Sequence, residues 1–342
     1  MMILRIFFAL IIFSLATGCA EKPVQNNIKK PEWINGQSSR YPASQYITGQ
    51  GTYKYLGRAK DLARAEIAKT FQVTVTEDTS DSQSFSQTKT NESSEKKSEQ
   101  FASRTVTTST DEMLRGVQIV DVWENTNTSN YHVLAILPRR QTAAILKQEI
   151  SRIDDATRTY IENAAAAKDK LEKIIYARQA MGAQFDRIAF QRSMQIANPS
   201  GQGIPQVWRT SKFTTDFYKL VKRIRIRPIV TKDDTNSLSK ALSGGIAKAG
   251  MTVENSSSAD YTIQAALYLD ISNKKKDGWY WARGTLAIEL LDKKQNIRGT
   301  HRWPVKISAQ DSDAINRRVG DELSRILKKD LQSTIISFSK AS

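Results

Sequence analysis

Few residues in this chain carry side chains able to do chemistry. There is a single cysteine, Cys19, and there are two histidines, His132 and His301. Each histidine falls in a stretch whose alternation predicts a strand, and neither has a second ligand nearby in sequence. That inventory argues against a zinc site. Gly49-Gln50-Gly51, with Gly57, lacks the Gly-Lys-Ser/Thr sequel of a phosphate loop and reads as close packing of a strand. No Gly-x-Ser-x-Gly elbow is present. Asp233 and Asp234 pair two carboxylates, but in a polar turn that predicts a helix start. No catalytic residue, metal or cofactor is expected. The chemistry left to explain is that of one thiol.

Its setting is informative. The chain opens MMILRIFFALIIFSLATGC. Arg5 precedes Ile6 to Leu15, which is apolar except for Ser14, and small residues lead to Cys19. That is the layout of a secretory signal. The apolar run is far shorter than the roughly 20 residues that cross a bilayer. The Gly18-Cys19 step resembles the bacterial lipobox. There the signal is cut before the cysteine, whose sulfur is the nucleophile that takes the lipid. Where the lipobox has Leu three residues before Cys, this chain has Ala16, with Leu15 one step further out. The resemblance implies a signal peptide over residues 1–18, cleavage between Gly18 and Cys19, and lipid attachment at Cys19. Two or three acyl chains anchor stably where one is marginal. Ala20, rather than Asp, after the cysteine implies the outer membrane, facing the periplasm or beyond it. The alternative is a secreted chain with an incidental cysteine. Residues 19–30 are polar, without periodicity, and read as a tether.

Composition bounds the rest. The chain has 342 residues, 39% hydrophobic and 25% charged, with a formal net charge of +16. These are the proportions of a folded chain long enough for two domains. After acylation of Cys19 no thiol remains for a disulfide, so stability rests on packing in an oxidising compartment. A strongly basic chain usually points to nucleic acid, and an export signal argues against that partner. The anions outside the cytoplasm are phospholipid headgroups, lipid-linked phosphates and the carboxylates of peptidoglycan. A well-solvated surface accounts for the charge equally well.

Along the chain, Tyr46 to Gly51 predicts a strand. Ala59, Leu62, Ala63, Ile67 and Phe71 recur at helical spacing. FQVTVTEDTS, from Phe71, alternates like a strand. From Ser80 to Thr90, Ser or Thr occupies every second position, and FASRTVTTSTDEML returns with a similar composition. Composition calls that stretch a linker, whereas the period of two predicts a long projecting β-hairpin over about residues 71–114, whose edges invite self-association. Strands follow over 116–123 and 131–137. A heptad-like stripe from Leu146 to Ile188 predicts a helical hairpin or three-helix segment, with breaks near 166–170 and at Gly182. NPSGQGIPQ, 198–206, reads as a linker.

The last block opens with VKRIRIRPIV. Ile224 and Ile226 face a core, and Arg223, Arg225 and Arg227 form a basic face, a candidate contact for an anionic surface. A helix ending at Gly250, four strands and an amphipathic helix from Ile315 to Ile335 follow. Trp279, Tyr280 and Trp281 crowd beside Asn273-Lys-Lys-Lys-Asp277, as a glycan or partner site or as a hairpin with one tryptophan in the core. The expectation is an α+β fold: two small domains of helices on antiparallel sheets, over residues 31–137 and 206–342, joined by a helical hairpin connector over 138–205.

PEWI, YITGQG, the Ala-rich helix, FQVTV, the alternating serines, LRGVQIVDVWE and YHVLAIL occur in that order. This order resembles the LPP-twenty family of outer-membrane lipoproteins, named for a twenty-kilodalton surface lipoprotein. The family includes the flagellar-assembly lipoprotein P, and its domain is similar to the N-terminal domain of flagellar-assembly protein T. The last block is similar only in layout to periplasmic modules of cell-wall synthase activators and curli-type secretion proteins. The resemblance implies a non-catalytic envelope protein, anchored in the membrane by its lipid, that assembles with itself or with a larger machine such as a flagellar basal body. The alternative is a periplasmic regulatory lipoprotein that activates a cell-wall synthase or supports a secretion complex. No catalytic residue is carried over.

Overall fold

The computed structural model describes residues 30–36, 38–84, 116–272, 275–276 and 278–338. Strands β1 (Tyr46–Tyr53), β2 (Gln118–Asn125) and β3 (Asn130–Pro138) form an antiparallel sheet in the order β1-β3-β2. One face packs on helix α1 (Leu56–Ser84). Ala59, Ala63, Ile67 and Phe71, four residues apart, meet Ile47, Val133, Ala135 and Leu137. The helix approaches so closely that a Cβ on Gly49 would collide with the Ala63 carbonyl, and one on Gly51 with that of Ala59. That contact explains the glycine pair. The opposite face is covered by Trp33, which packs on Leu134 and Ile136 and donates its indole N–H to Asp121 Oδ2 at 2.7 Å.

The expected strand from Phe71 is instead the continuation of α1, which runs to Ser84. Full burial of a side chain such as Ile67 or Phe71 is worth about 1.5–3 kcal/mol each, whereas Val and Thr disfavour helix by only about 0.7 kcal/mol or less. A helix nucleated by that packing extends at little further cost. The expected hairpin is therefore wrong over 71–84, and its remainder lies outside the described residues.

Helices α2 (Arg139–Ala166) and α3 (Lys170–Ala197) form a helical hairpin. The expected break near 166–170 is present. Asp169 caps α3, its Oδ1 accepting from the amides of Leu171 at 2.9 Å and Glu172 at 3.0 Å. No break occurs at Gly182, because one interior glycine costs only about 1 kcal/mol and both flanks of α3 are buried. Leu171 and Ile174 belong to one core, and Phe190 and Ala197 to another, with Leu146, Ile150 and Ile153 of α2. Between α2 and α3 lies a buried polar ladder. Arg187, 1% exposed, donates from Nε to Asp154 Oδ1 at 2.7 Å and from Nη2 to the Pro205 carbonyl at 2.9 Å. Gln184 donates to Thr157 at 2.9 Å. The expected linker 198–206 is accordingly pinned to α3, and the Ile204 amide also donates to Gln191.

Helix α4 (Thr210–Lys222), which the sequence reading did not anticipate, buries Phe217 and Val221. It leads to β4 (Arg225–Lys232), α5 (Leu238–Lys248), β5 (Thr252–Val253), β6 (Tyr261–Ile271), β7 (Tyr280–Asp292), β8 (Ile297–Ala309) and α6 (Ser312–Ser337). The sheet order is β5-β4-β6-β7-β8. The fold is α+β, as expected, but this sheet is mixed: β4 runs parallel to β5 and β6, while β6, β7 and β8 are antiparallel. The intervening α5 returns the chain, which is what a parallel pair requires. Asp233 is used locally, its carboxylate accepting from Thr235 and from the Leu238 amide that opens α5.

The buried ion pair gives a test. Asp154→Ala leaves the Arg187 cation buried without its partner and should destabilise the protein by about 3–5 kcal/mol. Asp154→Leu combined with Arg187→Met should be close to the parent. Urea unfolding of the three chains measures both differences.

Candidate functional site

Two charged assemblies border the five-stranded sheet. The first is a clasp at the start of α3. Asp169 Oδ2 accepts from the Tyr261 hydroxyl at 2.9 Å and lies 3.4 Å from Arg298 Nη1. The β7–β8 register shifts between Leu290 and Leu291, so that Leu291 faces Ile297 and Arg298 is the extra residue. A bulge of this kind re-aims a side chain. Next to it, buried Asp260 accepts from Lys170 Nζ at 2.7 Å and from the Arg225 amide at 3.0 Å, with Arg225 Nη2 and Lys293 Nζ each at 3.7 Å. Burial pushes the Asp260 carboxyl up, but the Lys170 ammonium, the Arg225 amide and the Arg225 charge together hold it below the usual range. Burial and the adjacent Asp169 carboxylate push the Tyr261 hydroxyl well above its ordinary value. This clasp is structural: it ties α3 to β4, β6 and β8.

The second assembly is the sheet's outer face. Alternation sends Ile263, Ala265, Leu267, Leu286, Ile288, Trp303 and Val305 into the helix-covered core. The intervening positions face away. There Lys232 lies 5.0 Å from the ring centroid of Tyr268, which is 49% exposed. Arg283 and Lys306, direct partners across β7 and β8, stand over the Trp281 ring at 5.2 and 5.4 Å. At the hairpin end, Lys275 lies 5.5 Å from Tyr280, whose ring packs on the helix-covered side of the sheet. Arg227 and Arg302 are exposed on the same face.

Of the expected basic face, only part is as read. Arg227 is exposed on β4, and Arg225 is half-buried and turned to Asp260 and Ser258. Arg223 is not on the strand: it has helical angles at the C-terminal cap of α4, which starts β4 two residues later than the alternation implied. The crowded tryptophans Trp279 and Trp281 are both half-buried, and the core tryptophan of this sheet is Trp303, 8% exposed, whose ring meets His301 at 4.5 Å. His132 hydrogen-bonds Thr52 at 3.0 Å beside Trp123. Among the described residues no group of three His, Cys, Asp or Glu is placed to hold a metal ion, and no helix is long and apolar enough to cross a membrane. Cys19 and Gly18 lie outside the described residues. Lys232, Tyr268, Arg283 and Lys306 escaped the sequence reading because they come from four strands. Only the W-A-R and W-P-V-K alternations hinted at them.

The three-stranded sheet and α1 have known relatives. Residues 31–137 match the model of the LPP20 lipoprotein family. That match takes in the three-stranded sheet and α1, and α2 to α6 lie beyond it. No curated protein sequence matches significantly. Among solved structures, a secreted protein of Helicobacter pylori is 13% identical, with 84% of this chain and 97% of that chain covered and a TM-score of 0.42. A minor lipoprotein of Acinetobacter baumannii is 18% identical, covering 35% of this chain and 92% of that one, with a TM-score of 0.25.

Asp260 carries the pH prediction. Its pKa is lowered in the folded state, so its contribution is complete above the unfolded value near 4 and is lost as pH falls through the lowered value. Asp260→Asn should cost about 1.5–3 kcal/mol at neutral pH. The gap from the parent should narrow on acidification below pH ~4, as read by urea midpoints across pH.

Proposed function

We propose that this protein is a non-catalytic outer-membrane lipoprotein, anchored through Cys19 and facing the periplasm, that scaffolds the assembly of an envelope machine. The observation that carries this reading is α3. A single helix of 28 residues, about 40 Å long at 1.5 Å per residue, is built into two cores at once. That suits a protein that holds one sheet at a set distance from another. Asp169, Asp233 and Asp260 are engaged in caps and clasps, and His132 and His301 in ring contacts, rather than in a shared cleft. The match of residues 31–137 to a lipoprotein family supports the anchored end of this arrangement. Partners in assembly are a second copy or another envelope protein.

The anchor is tested directly. Cys19→Ser should abolish incorporation of labelled fatty acid and move the protein from the membrane fraction to the soluble one. Retention of both label and membrane association would remove the basis of the proposal.

A further inference from the structure

We propose that the outer face of the five-stranded sheet docks on a membrane surface rich in anionic phospholipid. This rests on the envelope reading only in that a membrane must be within reach. Residues Cys19 to Lys30, fully extended, span about 40 Å at 3.3–3.6 Å per residue, which bounds how far the first sheet stands from its anchor.

The face is cationic out of proportion to its neighbours. Arg227, Lys232, Arg283, Arg302 and Lys306 have no acid within ion-pair distance among the described residues. The acids on the same face are Asp270 of β6, which sits directly opposite Arg283, and Glu289. Arg283 and Lys306 sit directly opposite each other on β7 and β8, a like-charge pairing that destabilises a sheet. Asp270, across from Arg283 on β6, and the Trp281 ring offset part of that repulsion, and an array of anions over the face would offset more.

The shape and chemistry favour lipid over a wall glycan. A glycan would stack its sugar rings on an open aromatic face, and Trp281 already carries Arg283 and Lys306 over its ring. The side chains stand on a pleated sheet, which presents a broad surface rather than a groove. Tyr and Trp bodies beside Lys and Arg heads match the headgroup layer, where aromatic rings settle and cations meet phosphates.

The test uses the chain from Ala20 onward, which retains every described element and lacks the acylated cysteine. Co-sedimentation is measured with vesicles of phosphatidylethanolamine, with and without phosphatidylglycerol. Binding should require phosphatidylglycerol and weaken with added salt. Lys232→Gln, Arg283→Gln and Lys306→Gln together should lower the partition constant on the order of 100-fold. Lys147→Gln, Lys328→Gln and Lys329→Gln, which remove the same charge from exposed helix positions, should change it little. Lys232→Arg, Arg283→Lys and Lys306→Arg together should preserve binding, which guards against misfolding of the neutral variant. Equal binding to both vesicles overturns the proposal, as does equal loss in the two glutamine variants. So does retention on peptidoglycan without vesicle binding. None of these outcomes bears on whether Cys19 is acylated.

Discussion

Two sheets keep a fixed relation only if something stiff belongs to both cores, and α3 meets that condition. Its first turns lie with the five-stranded sheet through Leu171 and Ile174. Its last turns lie with the three-stranded sheet through Phe190 and Ala197. Neither end can leave its core without exposing side chains whose burial is worth about 1.5–3 kcal/mol each. The helix backbone transmits that constraint along its length, because each turn is closed by its own hydrogen bonds.

Apolar contact alone would leave α3 free to slide or rotate against its neighbours. The polar contacts fix its register. At the start, Asp169 caps the helix with one oxygen and meets Tyr261 and Arg298 with the other. Further on, Arg187 joins Asp154 of α2 to the Pro205 carbonyl of the following loop. Buried pairs of this kind contribute little net stability but penalise every misplacement heavily, since a shift leaves a charge without a partner. Position along the helix is thereby set by charge, and its depth by apolar packing.

Much of this was legible in the sequence. The α+β class, the strands at 46–51, 116–123 and 131–137, the C-terminal strands and the closing helix all follow from periodicity. The errors have physical causes. Alternation of Val and Thr after Phe71 gave a strand where Ile67 and Phe71, packed on the first sheet, extend a helix. Gly182 suggested a break that packing on both flanks overrides. NPSGQGIPQ has linker composition, yet Arg187 and Gln191, distant in sequence, hold its backbone. The partners of Asp154, Asp169 and Asp260 come from elements up to 129 residues away, and no local pattern encodes them. The outer-face cations share that limit: each strand shows one or two, and only the sheet register makes them a surface.

A first sheet that matches a lipoprotein family model, a stiff helix and a second sheet are the parts that the proposed placement role requires. That role's physical requirement is that the two cores unfold as one body. Scanning calorimetry of the chain from Ala20 onward tests this most directly. The account predicts a single transition whose calorimetric and van't Hoff enthalpies agree, and its division into two when Gly182→Pro interrupts α3 midway. A parent chain that already melts in two resolved steps would contradict it.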